Sequence, residues 1–216
     1  MNKLRNHHEN PVDVVLLGLT GTLLPAFHAT GHTPNVITTY SFAAGLVAVA
    51  ALWYGHVGTF VVAYAVSYTF DCMDGQMARR YRMTSEFGDW YDHVTDVLVM
   101  VLLAVVIGVR RWRYVSAAEV LTFVALLLLL GVHMGCQQRH RPRPSTEEDA
   151  EEAETLDDLQ VLCHHREWIR WTRYFGSGTF VVALLLYVMC AFRDHADAAG
   201  RGESKSPATW TVPSAR

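Results

Sequence analysis

The stretch DCMDGQMARRYRMTSEFGDWYDHVTD, residues 71–96, lies between two long apolar segments and carries six acidic residues. Four of these acids, Asp71, Asp74, Asp92 and Asp96, fall where one apolar segment ends and the next begins. Charged side chains at a bilayer are destabilising unless they are paired or used, so acids in such places mark functional sites. The surrounding segments decide how these carboxylates are to be interpreted.

Apolar residues make up 51% of the 216-residue chain, and the mean hydropathy is +0.14. They are clustered rather than spread, and a bilayer span needs about 20 such residues. Lipid leaves no backbone group unpaired, so helices are expected. The sequence therefore predicts an all-α, polytopic helical membrane protein with five to six transmembrane helices. The apolar blocks are 12–27, 35–53, 57–70, 97–109, 115–135 and 178–192.

The first block, 12–27, is ambiguous because it contains Asp13 and Pro25. A transmembrane span, an interfacial helix lying on the membrane and a signal peptide are all open. Asp13 argues against a signal peptide, whose apolar region should be uncharged. We favour an N-terminal interfacial helix, with a true span as the close alternative.

Residues 1–193 are predicted to form one membrane domain, followed by a polar, disordered tail at 194–216. A polar region at about 137–174 interrupts the domain, and its acidic run is expected to be a solvated loop. Arginines and tryptophans between 166 and 173 are typical of an interfacial anchor.

The four cysteines, Cys72, Cys136, Cys163 and Cys190, are far apart, and their spacing indicates no disulfide framework. The formal net charge of −3 includes no basic patch that would bind nucleic acid, so no nucleic-acid partner is expected.

The acidic residues of 71–96 can meet at one point. Asp71 and Asp74 share a helix face, as do Asp92 and Asp96, and the intervening residues suffice to reverse the chain. Four carboxylates so close repel one another, and a divalent cation relieves the repulsion. Carboxylate oxygens suit magnesium or manganese, and a pair of such ions is a common device for displacement at phosphorus. Asp96, the last of the four, is placed to act as a base.

Small and basic residues beside the acids fit a phosphate ligand. Gly75, Ala78 and Gly88 leave space for phosphates to approach the backbone. Arg79 offers a guanidinium to a phosphate. Ser85 is a candidate cap for the following helix and a possible phosphate contact.

Arginines at both ends of the 97–109 block give conflicting signals about orientation. The arginines of 79–82 place the acidic stretch in the cytoplasm by the positive-inside rule. Those of 110–113 would then lie on the other side if the block spans once.

The stretch resembles the signature of the CDP-alcohol phosphatidyltransferase family. It matches the pattern D-x2-D-G-x2-A-R-x8-G-x3-D-x3-D at every fixed position, which makes the signal highly specific. A second, weaker feature is TPNVIT, residues 33–38, which resembles the start of the family's first span. The motif positions are Asp71, Asp74, Gly75, Ala78, Arg79, Gly88, Asp92 and Asp96.

The resemblance implies roles for these residues. Asp71, Asp74 and Asp92 would hold a pair of magnesium or manganese ions, and Asp96 would assist the second ion and serve as general base. The CDP and diphosphate site would be lined by Asn35, Thr38, Gly75, Ala78, Arg79, Ser85 and Gly88.

The reaction implied by the resemblance is attack of an alcohol hydroxyl on the β-phosphorus of a CDP-linked lipid donor, with release of CMP. The expected donor is CDP-diacylglycerol, the acceptor is a small alcohol, and the protein is an integral membrane homodimer with its site facing the cytoplasm. Val97 counts against inositol as acceptor, because an arginine commonly follows the last aspartate in inositol-using members. His93 could influence acceptor choice, although a surface histidine is the simpler interpretation.

Other functions stay open at this point. The Asp-His pair in YDHVTD is shared with amino-alcohol phosphotransferases that use CDP-choline or CDP-ethanolamine with diacylglycerol, although those enzymes are usually longer. A divalent-metal transporter would also need membrane acids, but these acids cluster at one edge. An inactive membrane scaffold is disfavoured by the intact aspartate set.

Overall fold

The structure, a computed structural model, describes residues 8–111, 114–140 and 158–200, and the described residues contain no β-strand. Short helical turns occupy most of 158–175. The expectation of an all-α protein is therefore confirmed. The six long helices are α1 (Pro11–Ala29), α2 (Pro34–Trp53), α3 (Val57–Tyr81), α4 (Glu86–Arg111), α5 (Ala117–Arg139) and α6 (Ser177–Gly200).

Five segments are long and apolar enough to cross a membrane: α1, α2, α4, α5 and Ile169–Phe192, which includes most of α6. This agrees with a polytopic membrane protein. The more polar α3 lies outside that set, but it packs along α2, where Ser41 and Ser67 each donate a hydrogen bond to the other's carbonyl oxygen.

The apolar core lies among α2, α3, α4 and α6. Its fully buried members include Leu52 on α2, Phe60 on α3 and Val188 on α6, with Leu103 of α4 beside them. Within a bilayer, helices are held together by close van der Waals packing of this kind and by interhelical hydrogen bonds. The core thus fixes the relative positions of the helices that carry the acidic stretch.

Helix α1 is held by contacts with α6 and α3. At its start, Asn10 donates to the Arg173 carbonyl oxygen and to Thr179, beside the beginning of α6. At its end, His28 stacks on Tyr81, the last residue of α3. Between these ends α1 runs along the second half of α3: Tyr68 donates to Asp13, and Gln76 donates to the Leu17 carbonyl oxygen. The length and composition of α1 would permit a span.

A tight turn between α3 and α4 reverses the chain, as expected. Arg82 adopts a left-handed conformation with φ of 54°, and the Met83 N–H bonds back to the Ala78 carbonyl oxygen, which ends α3. Ser85 Oγ accepts from the Gly88 N–H at 3.1 Å, which confirms its predicted capping role. Since α4 runs from Glu86 to Arg111, the arginines at the end of α3 lie just before its start, and Arg110 and Arg111 lie at its far end.

The expectation of no disulfide was wrong, because Cys136 and Cys163 are bonded. They are 27 residues apart in the sequence, a spacing that carries no motif. The fold brings them together because the turns around Cys163 pack on the end of α5, with Ile169 and Val132 beside the bond. Cys163 is therefore not available as a thiolate ligand for a metal.

The predicted tail boundary needs correction. Helix α6 continues to Gly200, seven residues into the segment expected to be disordered. Three alanines among those seven residues favour helix continuation. Two ranges lie outside the described residues: 141–157, which contains most of the acidic run, and 201–216. The expectations for them are untested.

Candidate active site

Three of the motif acids converge between α3 and α4. Asp71, Asp74 and Asp92 each offer one carboxylate oxygen, and these oxygens all lie within 4.8 Å of one another. The convergence follows from the spacing of the acids on each helix and from the turn at 82–85. The expectation that two helix faces bring carboxylates together is confirmed for these three.

A hydrogen bond from α2 fixes one of the three. The Thr38 hydroxyl donates to Asp74 Oδ2 at 2.7 Å, and both residues are buried. Hydrogen bonds of this kind orient metal-binding carboxylates and raise the affinity of the site.

The chemistry of the cluster fits a divalent cation. Asp92 Oδ1 is buried and has no hydrogen-bond donor in the part of the chain that the structure describes. A buried carboxylate oxygen without a partner is costly unless it meets a positive charge. Three convergent carboxylates form an oxygen-only ligand set, which magnesium and manganese prefer.

Asp96 occupies a different position from the other three acids. It lies one helical turn after Asp92, and its side chain is exposed in the single chain. Its carboxyl group is within hydrogen-bonding reach of Asp71. Asp96 is therefore connected to the cluster through Asp71 and does not line the cavity described next.

The three acids line a cavity of about 380 Å³. One side of it, which we call the motif arm, is formed by the start of α2, the end of α3 and the start of α4. Every predicted site residue except Asp96 lines the cavity. Those in the motif arm, besides the acids, are Asn35, Thr38, Gly75, Ala78, Arg79, Ser85 and Gly88.

The packing of the motif arm leaves no room for a side chain at residue 88. A Cβ atom there would lie 2.9 Å from Asn35 Oδ1 and 3.0 Å from Ser85 Oγ. The three residues therefore pack around one point of the cavity wall. At Gly75, a Cβ atom would lie 3.2 Å from Arg79 Nη1, so the Arg79 guanidinium folds against the helix beside the acids.

The other side of the cavity was not predicted. We call it the second arm, and it is formed by the start of α1, the end of α5 and the start of α6, together with one turn of α3. Its chemistry-bearing residues are Glu9, Asp13, Tyr68, Cys72, His133, Gln137 and Ser177, with apolar Leu17, Leu130 and Met134.

Hydrogen bonds hold the side chains of the second arm. Asp13 accepts from the Tyr68 hydroxyl at 2.6 Å and from the Ser177 hydroxyl at 3.3 Å. Gln137 Nε2 lies 3.0 Å from His133 Nε2 and 3.5 Å from Glu9 Oε2. One signal of this arm was present in the sequence, since Asp13 is an acid within an apolar segment. The other residues of the second arm are not spaced in the sequence in a pattern that would predict a shared site.

His93 was interpreted either as an influence on acceptor choice or as a surface histidine, and its position is compatible with both. It lines the cavity, yet about half of its side chain is exposed, and its ring nitrogen lies 3.7 Å from the carboxylate of Asp89.

Together, the helical bundle and its converging carboxylates define a class of membrane-protein site that could hold a metal ion. A family model described as CDP-alcohol phosphatidyltransferase matches residues 31–144, which is more than half of the chain. The chain belongs to the CDP-alcohol phosphatidyltransferase family. Membership makes it a transferase of phosphate-containing groups in phospholipid biosynthesis and implies phosphatidyl transfer from a CDP-alcohol. No curated protein and no solved structure matches the chain.

Proposed function

We propose that the chain transfers a phosphatidyl group from CDP-diacylglycerol to a small alcohol and releases CMP. The observation that carries this proposal is the convergence of Asp71, Asp74 and Asp92 within 4.8 Å inside the cavity.

Asp71, Asp74 and Asp92 would hold two magnesium or manganese ions, with Asp96 assisting the second. Bound there, the ions would supply positive charge to the diphosphate and to the oxygens that gain charge during displacement. The Thr38 hydroxyl keeps Asp74 oriented for this role.

The motif arm would bind the cytidine diphosphate part of the donor. Arg79 offers its guanidinium to a phosphate, and Gly88 leaves room beside Asn35 and Ser85. These side chains come from three helices whose relative positions are set by the core. The donor would therefore be oriented by a preformed surface.

In the chemical step one bond forms, one bond breaks and one proton is transferred. The acceptor hydroxyl oxygen forms a bond to the β-phosphorus, and the bond from that phosphorus to the bridging oxygen breaks. CMP leaves with the electron pair. Asp96 takes the hydroxyl proton as general base.

We further propose that the site faces the cytoplasm, because Arg79 and Arg80 lie at this end of α3. A test is to introduce Glu86→Cys at this end and Tyr54→Cys at the other. A membrane-impermeant maleimide should label the former from the cytoplasmic side and the latter from the opposite side. Reversed labelling would overturn the orientation.

We also propose a homodimer. Helix α4 exposes Val97, Val101 and Val105 on one face of the single chain, and this face suits a second copy. The mass of the protein in lipid nanodiscs should correspond to two chains, and a mass of one chain would refute the proposal.

The experiment that tests the function is CMP release by the purified protein in lipid, with CDP-diacylglycerol, an alcohol and either magnesium or manganese. We expect release that stops when EDTA removes the metal and resumes when the metal is restored. Folded protein that releases no CMP with any donor and acceptor pair would refute the proposed function.

A further inference from the structure

We propose that the short helical turns of residues 166–175 dock on the lipid bilayer. One face of these turns, which we call the interfacial turns, enters the headgroup layer, while the opposite face holds the second arm of the cavity. Three features of the described residues support this role: the division of the segment into faces, its position relative to two membrane spans, and its contacts with the second arm.

The side chains of the interfacial turns fall on distinct faces. The segment begins and ends with 3-10 turns, in which residues three apart point in the same direction. Trp168, Trp171 and Tyr174 share one face, and all three are exposed, Trp171 to 76%. Ile169 and Thr172 share another face, and both are buried. An aromatic face exposed in this way marks a surface that meets a partner.

The third face of the interfacial turns is polar. Glu167 and Arg170 lie on it, and both are exposed. The aromatic face is therefore bordered by charged groups that water and lipid phosphates can solvate. A short segment with one aromatic and one charged face is typical of chains that lie in the membrane interface.

Two candidate membrane spans set the level of the interfacial turns. One span, Ile169–Phe192, begins within the turns, and the other, α5, ends at Arg139. The disulfide joins Cys163, just before the turns, to Cys136 near the end of α5. The turns therefore lie where both spans reach the edge of the bilayer, which is the level at which tryptophan and tyrosine are enriched.

The buried face of the interfacial turns holds parts of the second arm. Ile169 packs beside the disulfide. Thr172 Oγ1 lies 3.3 Å from Nδ1 of His133, a residue that lines the cavity. Asn10, just before α1, donates to the Arg173 carbonyl oxygen. Docking of the aromatic face would thus fix the end of α5 and the start of α1 relative to the bilayer.

A lipid surface suits the aromatic face because of the chemistry of its side chains. Tryptophan and tyrosine combine an apolar ring with an N–H or O–H group, so they are stable where an apolar layer meets a wet one. The competing occupant within this chain is the acidic run of 147–158, whose charge is opposite to that of Arg170. The experiment below distinguishes the two.

The first test measures the depth of Trp171 in the bilayer. The full chain is labelled with fluorotryptophan and placed in phosphatidylcholine nanodiscs, and the Trp171 fluorine resonance is identified by its loss in Trp171→Phe. We expect this resonance to broaden with lipid that carries a nitroxide high in the acyl chain, and to stay sharp with a water-soluble gadolinium chelate. The Trp168 resonance, identified through Trp168→Phe, should behave in the same way.

Two results of this test would overturn the proposal. Broadening by the chelate alone would mean that the aromatic face is solvated. Broadening by neither probe would mean that another part of the protein, such as the acidic run, covers it.

The second test measures how far docking stabilises the interfacial turns. In Trp171→Ala, amide hydrogen exchange of residues 166–175 should become about tenfold faster or more, because a large apolar side chain is lost from the lipid contact. Trp171→Phe should keep most of the protection. The matched control is Arg170→Ala, on the polar face of the same turn, which should exchange like wild type.

Equal exchange in Trp171→Ala and wild type, or equal acceleration in Trp171→Ala and Arg170→Ala, would contradict the proposal. Both measurements are made without substrate, so their outcome is independent of the transferase function.

Discussion

The two arms of the cavity are assembled from very different parts of the chain. Apart from three residues of α2, the motif arm comes from one continuous stretch, whose spacing already places its side chains on facing helices. The second arm combines the start of α1, one turn of α3, the end of α5 and the start of α6. The residues of the family motif are thus placed by local spacing, while the second arm depends on packing between distant helices.

The largest effect is expected from Asp71→Asn, which removes one of the three convergent carboxylates. Both metal affinity and turnover should fall by more than the roughly 10–100-fold that changes behind the ligands produce. Manganese binding followed by electron paramagnetic resonance, together with CMP release, measures both quantities. Glu86→Gln, an exposed acid outside the cavity, is the control. Unchanged manganese affinity would show that the cluster is not the metal site.

Asp96→Asn tests whether Asp96 acts as the general base without contributing to donor binding. Turnover should fall by about 10²–10⁴-fold, the usual contribution of a general base. Binding of the CDP-linked donor should change little, because Asp96 does not line the cavity. Rapid-quench CMP release and equilibrium donor binding make the comparison. Wild-type turnover in this variant would refute the assignment of the base.

Thr38→Val tests the support that α2 gives to the metal site. The substitution keeps the shape and deletes the hydroxyl that donates to Asp74. Metal affinity should fall about tenfold, at the lower end of the range for such supporting bonds. The matched control is Thr39→Val on the same helix, whose hydroxyl bonds to the Asn35 carbonyl oxygen and lies outside the cavity lining. An equal effect of both variants would indicate a general perturbation of α2.

Gly88→Ala tests the close packing of the motif arm. The new methyl group would push Asn35 and Ser85 aside, at a cost of about 0.5–1.5 kcal/mol if their side chains leave their preferred rotamers. This corresponds to a rise in the donor KM of about 2–10-fold. Gly108→Ala in the same helix is the control, because a Cβ atom there meets nothing within 4 Å. A donor KM that rises equally in both variants would argue against a local steric effect.

The smallest effect is expected from replacing the acidic residues of 147–158 with serine. An acidic run of this kind is most simply a solvated surface feature, so turnover should stay within about twofold of wild type. The same CMP-release assay measures it. A large loss would mean that this run acts on the site, and the functional surface would then extend beyond the two arms.

Local spacing made the motif arm predictable. The positions of Asp71, Asp74 and Asp92, the turn after Arg79 and the cap at Ser85 all follow from spacing on helices and from local backbone preferences. The same reasoning predicted the helix face of Asp96 but not its position relative to the cavity. Its spacing put it on a face with Asp92, but it lies one helical turn, about 6 Å, farther along α4 and does not line the cavity.

The second arm could not be predicted, because tertiary packing alone brings its parts together. Glu9 and Gln137 are 128 residues apart, and Asp13 and Ser177 are separated by 164. No periodicity links such positions. The disulfide was missed for the same reason, since Cys136 and Cys163 meet only when the turns of 158–163 pack on α5.

The bond between Cys136 and Cys163 also changes how the chain is connected. It closes a covalent ring that contains all of residues 141–157. A protease that cuts the backbone once inside this ring would leave two polypeptides joined by sulfur, separable on a gel only after reduction. New chain ends could be placed there by circular permutation, and α6 would remain tethered to α5 through the disulfide instead of through the peptide backbone.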